Sequence, residues 1–244
     1  MNKARRKVLV LQHLAVEHPG VFRDFLARDD YEYVPVELDE GQPIPRLEDY
    51  AALWVMGGPM DVWQEDAHPW LAGEKDAIRR AVLELDMPYL GFCLGHQLLA
   101  AALGGEVGLA AEAEVGILPV ERTPQALDCP YMQEMPTRFD VMQWHSAEIT
   151  RLPPGARVLA SSPRCAVQAL SVGRRAFSMQ FHIEITPSTV PEWNAIPAYR
   201  AALEKSLGAD GAIGLEAAAG QRIGEFNGLA ERIYRNWRQA AGFG

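Results

Sequence analysis

Short apolar runs alternate with stretches of helical period through the first hundred residues. Val8-Leu9-Val10-Leu11 is apolar at every position, which predicts a strand buried on both faces. After the break at His18-Pro19-Gly20, Val21, Phe22, Phe25 and Leu26 recur at helical spacing. Tyr33-Val34-Pro35-Val36 predicts a second strand, and its proline suits a sheet edge. Leu53-Trp54-Val55-Met56 predicts a third, which runs straight into Gly57-Gly58-Pro59-Met60. Between Trp70 and Leu85, the residues Ile78, Ala81, Val82 and Leu85 follow the i, i+3, i+4, i+7 pattern of an amphipathic helix. Met87-Pro88-Tyr89-Leu90 then predicts a buried strand, and Leu98 to Leu103 a helix stopped by Gly104-Gly105.

Beyond Gly105 the pattern changes. Val115 to Val120, Phe139 to Trp144, Val158 to Ser161, Val167 to Val172 and Ala176 to Phe181 are strand-like runs separated by turn residues. From Thr186 to Gly224 the chain is poorly periodic. It holds a predicted helix over Ala198 to Leu207, and the Ala/Gly-rich stretch Gly208 to Gly220 reads as a mobile loop. Phe226, Leu229, Ala230, Ile233 and Trp237 fall on one face of a closing helix.

Alternating strands and helices predict an α/β fold with a mostly parallel, helix-covered sheet and an antiparallel extension. With no internal repeat and no clean linker, residues 1–244 read as a single domain. Its core spans about 8–184, a segment over 186–224 forms the mouth of the site, and a docking helix covers 225–241.

Composition narrows the function classes. Of 244 residues, 48% are hydrophobic and 23% charged, ordinary for a globular protein. The net charge of −9 argues against a general nucleic-acid binder, since phosphate contacts need a basic face. No apolar run approaches membrane-spanning length. Cys93, Cys129 and Cys165 show no metal-ligand or disulfide spacing, so the expectation is a cytoplasmic, reducing compartment and no metal.

Candidate chemistry sits in three stretches. In Gly91-Phe92-Cys93-Leu94-Gly95-His96-Gln97, Cys93 occupies a strand-to-helix turn with a glycine two residues away on each side. That is the layout of a nucleophile elbow. The helix N-terminus beneath the thiol favours negative charge, and the Leu94 N–H faces the place where an oxyanion forms. In Gln180-Phe181-His182-Ile183-Glu184, His182 and Glu184 lie two apart, so in an extended segment both point the same way. A carboxylate can then orient an imidazole that serves the thiol as base. In Gly57-Gly58-Pro59, glycine lets the backbone approach a ligand, and an N–H there can complete an oxyanion hole. Taken singly, each stretch also fits a plainer reading: an inert buried thiol, a solvated His-x-Glu pair, a simple turn.

Together and in this order, the three stretches resemble the class I, triad-type glutamine amidotransferases, closest to stand-alone domains similar to the amidotransferase half of GMP synthase. The resemblance covers roughly Val8 to Glu184. It implies a flavodoxin-like fold and hydrolysis of the glutamine side-chain amide through a γ-glutamyl thioester, with no cofactor. It implies Cys93, His182 and Glu184 as the triad, Gly58 and Leu94 as oxyanion donors, and Gln97 as a contact to bound glutamine. His145-Ser146-Ala147 resembles the segment whose main chain holds the substrate's α-groups, which implicates Ser146 and Ala147. One departure is plain: the family usually has proline where this chain has Ile183.

Within that expectation two versions stand. The chain serves as a glutaminase subunit passing ammonia to a separate synthetase, or it acts alone on a small γ-glutamyl amide or peptide. No Walker loop for a nucleotide is present. A non-catalytic binding or regulatory module on the same fold is the reading from another class, and a general peptidase on a related fold is a weaker one. His13, His18 and His68 stand at no metal-ligand spacing, His96 reads as structural, and Trp63 or Trp193 is placed to rim a pocket.

Overall fold

The computed structural model describes residues 6–243. The apolar run at the start forms β1 (Lys7–Gln12), and its side chains divide between two cores because successive residues of a strand face opposite ways. Val8 and Val10 join Phe22, Trp54 and Phe92 on one side. Leu9 and Leu11 join Leu53, Val55, Ile78 and Leu98 on the other. The first core is covered by α1 (Phe22–Arg28) and the second by α2 (Trp70–Arg79) and α3 (Leu94–Ala102). The α2 helix continues through Arg80–Glu84 as one wider, π-type turn.

The remaining strands are β2 (Glu32–Glu37), β3 (Ala52–Val55), β4 (Tyr89–Phe92), β5 (Glu106–Arg122), β6 (Arg138–Arg151), β7 (Ala156–Ser161), β8 (Ala169–Val172) and β9 (Ala176–Met179). They form one sheet in the order β2-β1-β3-β4-β9-β8-β7-β5-β6. The first five in that order pair in parallel, and β8, β7, β5 and β6 continue antiparallel. The parallel part has the flavodoxin-like order 2-1-3-4-5, with helices on both faces. Pro35 lies on β2, at the sheet edge, where its missing N–H costs least.

In such sheets ligands bind beyond the carboxyl ends of the parallel strands. His13 follows β1, Gly57 and Gly58 follow β3, Cys93 follows β4 and His182 follows β9. The topology therefore gathers residues from four distant parts of the chain beyond the carboxyl ends of the parallel strands.

The carboxyl-terminal fifth departs from expectation. After α4 (Thr189–Asn194) and α5 (Pro197–Leu207), a 31-residue helix α6 (Gly211–Ala241) runs to the end. The stretch Gly208 to Gly220, expected as a mobile loop, is helical from Gly211 onward, and the closing helix begins well before residue 225. The physical reason is a stripe of small and large apolar residues that glycines obscure. Leu215, Ala219 and Phe226 pack with α4, α5 and the β5–β6 pair, and Leu229, Ile233 and Trp237 prolong the stripe onto the first core. Gly208, at φ 83°, separates the two helices in a conformation other residues rarely adopt.

Candidate active site

Cys93 has φ 49° and ψ −102° at the junction of β4 and α3, a strained conformation for a non-glycine residue. The turn is tight enough to dictate its neighbours. A Cβ on Gly91 would lie 2.8 Å from the Gly95 carbonyl oxygen, and one on Gly95 would lie 2.1 Å from the Val55 carbonyl oxygen. Backbone cannot yield to such contacts, so both positions need glycine. The Tyr89 hydroxyl donates to the Gly95 carbonyl at 2.7 Å, and the Gly95 N–H donates to Met56 O at 3.0 Å, which ties the elbow to β3.

His182 is pinned through its backbone to β6: its N–H donates to Met142 O at 2.8 Å, and Met142 N–H donates back at 3.1 Å. Its ring Nδ1 lies 2.6 Å from Glu184 Oε1. The Cys93 thiol lies near enough to act on the charge of the same ring. Burial lowers the His182 pKa, but the Glu184 carboxylate and Cys93 outweigh it and hold the imidazole well above its ordinary value. Trp193, from α4, packs edge-on against this ring with centroids 4.6 Å apart. Trp63 is 45% exposed and stands outside the cavity lining.

A relay of amides reaches the same thiol. Gln180 Nε2 donates to Cys93 Sγ at 3.5 Å, and Gln180 Oε1 accepts from Gln97 Nε2 at 3.0 Å. Gln97 Nε2 also donates to Ala147 O at 3.1 Å, which leaves its Oε1 as the free polar atom. The Ala147 segment is shaped by a bulge. Leu109 pairs with Ala147 and Glu114 with His145, so Ser146 has no partner on β5. His145 is held by Glu114 Oε2 at 3.1 Å and by the Ala147 carbonyl at 2.9 Å, so its side chain supports this backbone.

Cys93, Gly58, Leu94, Gln97, Ser146 and Ala147 all line one cavity of about 160 Å³, with Asp61 and Trp144 on its walls. Ala198, Tyr199 and Ala202, from α5, close it from the other side. All eight residues singled out from the sequence therefore come together: six line this cavity, and His182 and Glu184 stand behind Cys93.

Other residues here carry no sequence signal. Glu17 is buried, with Oε2 placed where a Cβ on Gly57 would come within 2.4 Å. Burial raises its pKa, and the nearby His182 and Tyr199 oppose the rise. His13 and Glu74 form a fully buried pair behind Gly57. These residues are isolated in the chain, and only the strand-end rule for α/β sheets points to the loop that carries His13 and Glu17. His96, by contrast, is structural: Nε2 donates to Val167 O at 3.0 Å, and Nδ1 accepts from the Ser178 hydroxyl at 2.8 Å. Glu114, His145 and Cys165 are the three potential metal ligands that cluster among the described residues, but Ser162, Gln168 and His145 already satisfy Glu114. The three cysteines are buried and free.

Comparison with known proteins agrees with this arrangement. The family model for glutamine amidotransferase class-I matches residues 22–193. The chain is 34% identical over 176 residues to one subunit of the glutamine-hydrolysing GMP synthase of Sulfurisphaera tokodaii, covering 70% of this chain and 89% of that one. It is 36% identical over 145 residues to the GMP synthase of Aeropyrum pernix, covering 59% of this chain but 26% of the longer protein. The chain thus spans about a quarter of the full-length GMP synthases it resembles. A solved glutamine amidotransferase from Methylobacillus flagellatus superposes with a TM-score of 0.85 at 32% identity, over 96% of this chain and 95% of its own. One from Thermotoga maritima superposes at 0.84 and 28% identity, over 97% and 98%. These two likenesses run nearly the whole length, past residue 193 where the family model ends. No helix among the described residues is long and apolar enough to cross a membrane. By the family model, the relatives and the fold, the chain belongs to the class I glutamine amidotransferases.

Proposed function

We propose that the chain hydrolyses the side-chain amide of glutamine through a γ-glutamyl thioester on Cys93. The observation that carries this is the line Glu184, His182, Cys93, which ends on a thiol at the wall of a cavity. His182 takes the thiol proton as Sγ attacks the amide carbon, and the carbon–oxygen double bond opens to an oxyanion. The N–H groups of Gly58 and Leu94, both in the cavity wall, receive that charge. His182 delivers a proton to the departing amine, Glu184 stabilises the imidazolium meanwhile, and ammonia leaves. Water, activated by the now neutral His182, attacks the thioester and releases glutamate. Gln97 Oε1 and the Ser146–Ala147 backbone bind the amino-acid end of the substrate. The chemistry needs no cofactor, and a cytoplasmic setting suits three free thiols.

A second reading is favoured by the roof that α5 builds over the cavity with Ala198, Tyr199 and Ala202. In that reading the chain acts alone on a small γ-glutamyl amide or peptide, and residues 186–224 set specificity by limiting what enters. The alternative is a separate synthetase that receives the ammonia, as the likeness to one subunit of a GMP synthase suggests. Ammonia release by the purified chain from L-glutamine and from γ-glutamyl amides tests both. Turnover of γ-glutamyl amides but not of glutamine supports the stand-alone reading. Labelling of Cys93 by a glutamine-like electrophile without any turnover supports the two-protein reading.

A further inference from the structure

His13 lies behind the Gly57-Gly58 turn, fully buried. Its Nδ1 is 2.7 Å from the Gly57 carbonyl oxygen, and its Nε2 is 3.0 Å and 3.1 Å from the two oxygens of Glu74. A peptide carbonyl and a carboxylate only accept hydrogen bonds, so both ring nitrogens donate and the ring is an imidazolium paired with a carboxylate. Burial pulls the His13 pKa down, yet Glu74 and the Gly57 carbonyl raise it above the ordinary value overall. Trp70 stacks on the ring with centroids 5.5 Å apart.

The Gly57 carbonyl and the Gly58 N–H are the two ends of one planar trans peptide and point in opposite directions. Holding the carbonyl towards His13 aims the N–H away from it, on the side where Gly58 borders the cavity with Cys93 and Leu94. Side chains crowd both glycines, and at Gly58 the crowding includes His13 itself, whose Cβ would lie 2.9 Å from an added Cβ. A Cβ on Gly57 would meet Glu17 Oε2 at 2.4 Å, and one on Gly58 would meet Met60 Sδ at 2.6 Å and Leu94 Cδ2 at 2.9 Å. Two successive glycines, however, leave the peptide between them free to rotate. The charged donor on Gly57 O removes that freedom, and it also polarises the amide so that the N–H becomes a stronger donor.

We propose that His13, backed by Glu74, is a positioning residue that locks the Gly57–Gly58 peptide with the Gly58 N–H aimed at the oxyanion. The inference rests on the reading of Gly58 as an oxyanion donor. His13 itself touches neither substrate nor thiol.

The test uses the full chain and a γ-glutamyl aldehyde, to which Cys93 adds reversibly to give a hemithioacetal with its oxygen in the oxyanion position. Removing His13 alone strands a buried carboxylate, so the main variant is His13→Ala with Glu74→Gln. It should lower kcat on the order of 10²-fold, as loss of an oxyanion donor does. KM should stay within roughly threefold, and aldehyde affinity should fall in parallel with kcat. His13→Asn in the same Glu74→Gln background, whose amide nitrogen stands where Nδ1 does, should recover most of both. A folded double variant with wild-type kcat and aldehyde affinity, or a loss confined to KM, would overturn the proposal. If the double variant does not fold, His13→Leu with Glu74→Gln decides, because it fills the ring's space and leaves no donor to the Gly57 carbonyl: parallel losses support the lock, and none overturns it. Failure of the unmodified chain to bind the aldehyde at Cys93 would instead overturn the thioester reading itself.

Discussion

Glu184 holds His182 from two directions. Its Oε1 lies 2.6 Å from His182 Nδ1, and its Oε2 accepts the N–H of Ile183, the residue between them, at 2.9 Å. The carboxylate is thus fixed to the ring it orients and to the backbone that carries both. A proline at position 183, the family's usual residue, has no N–H to give.

The first prediction tests that bond. Ile183→Pro removes the donor and frees the carboxylate to turn away from the ring. A hydrogen bond to a charged acceptor contributes about 1.5–3 kcal/mol, so kcat should drop on the order of tenfold or more. Ile183→Val, which keeps the N–H, should retain most of the rate. Equal rates for both variants would show that the Ile183 N–H does not hold Glu184 for catalysis.

Glu184→Gln should cost far more, on the order of 10⁴-fold in kcat by analogy with other triads whose carboxylate is neutralised. It should also move the pH dependence. Burial disfavours the His182 imidazolium, and Glu184 is the first of the groups that raise its pKa above the ordinary value despite that burial. Losing that charge should shift the pKa of His182 down, and with it the pH profile of kcat/KM. Because the folded pKa is raised, the ion pair stabilises the fold fully below the unfolded value of about 6.5, and its contribution disappears as pH rises through the folded value. The stability gap between the parent and Glu184→Gln, measured by urea unfolding, should therefore narrow with rising pH. A gap that widens would contradict the assignment.

His96 should behave in the opposite sense. Burial pushes its pKa down to about 3, and its two ring nitrogens are matched to a neutral imidazole. Below about pH 6.5 the unfolded chain takes up a proton that the folded chain refuses, so stability falls with acid by up to about 1.4 kcal/mol per pH unit. His96→Gln removes that titration and should flatten the acid limb of the stability profile. An unchanged slope would mean that other groups govern acid unfolding.

Much of this molecule is legible in its sequence where one physical signal dominates. Val8 to Leu11 and Leu53 to Met56 are apolar at every position because the strands they form are covered on both faces. The elbow is legible because its geometry excludes a Cβ at Gly91 and Gly95, and the His182-Ile183-Glu184 spacing because one carboxylate must reach one ring. The strand before the elbow starts at Tyr89, two residues later than the apolar run suggests, and extends through Phe92. The first half of α6 is obscured because its buried stripe relies on Ala219 and Leu215 amid glycines. His13, Glu17, Glu74 and Tyr199 are illegible for a different reason. Each is a single polar residue whose partner lies far away in the chain, 61 residues in the case of His13 and Glu74, and only the fold brings the partners together.

The central claim is tested most directly by ammonia release from L-glutamine and a panel of γ-glutamyl amides, comparing the purified chain with Cys93→Ala. The account predicts turnover of at least one substrate by the parent chain and none by the variant, with the variant's unfolding curve unchanged. Turnover that survives in Cys93→Ala would contradict it.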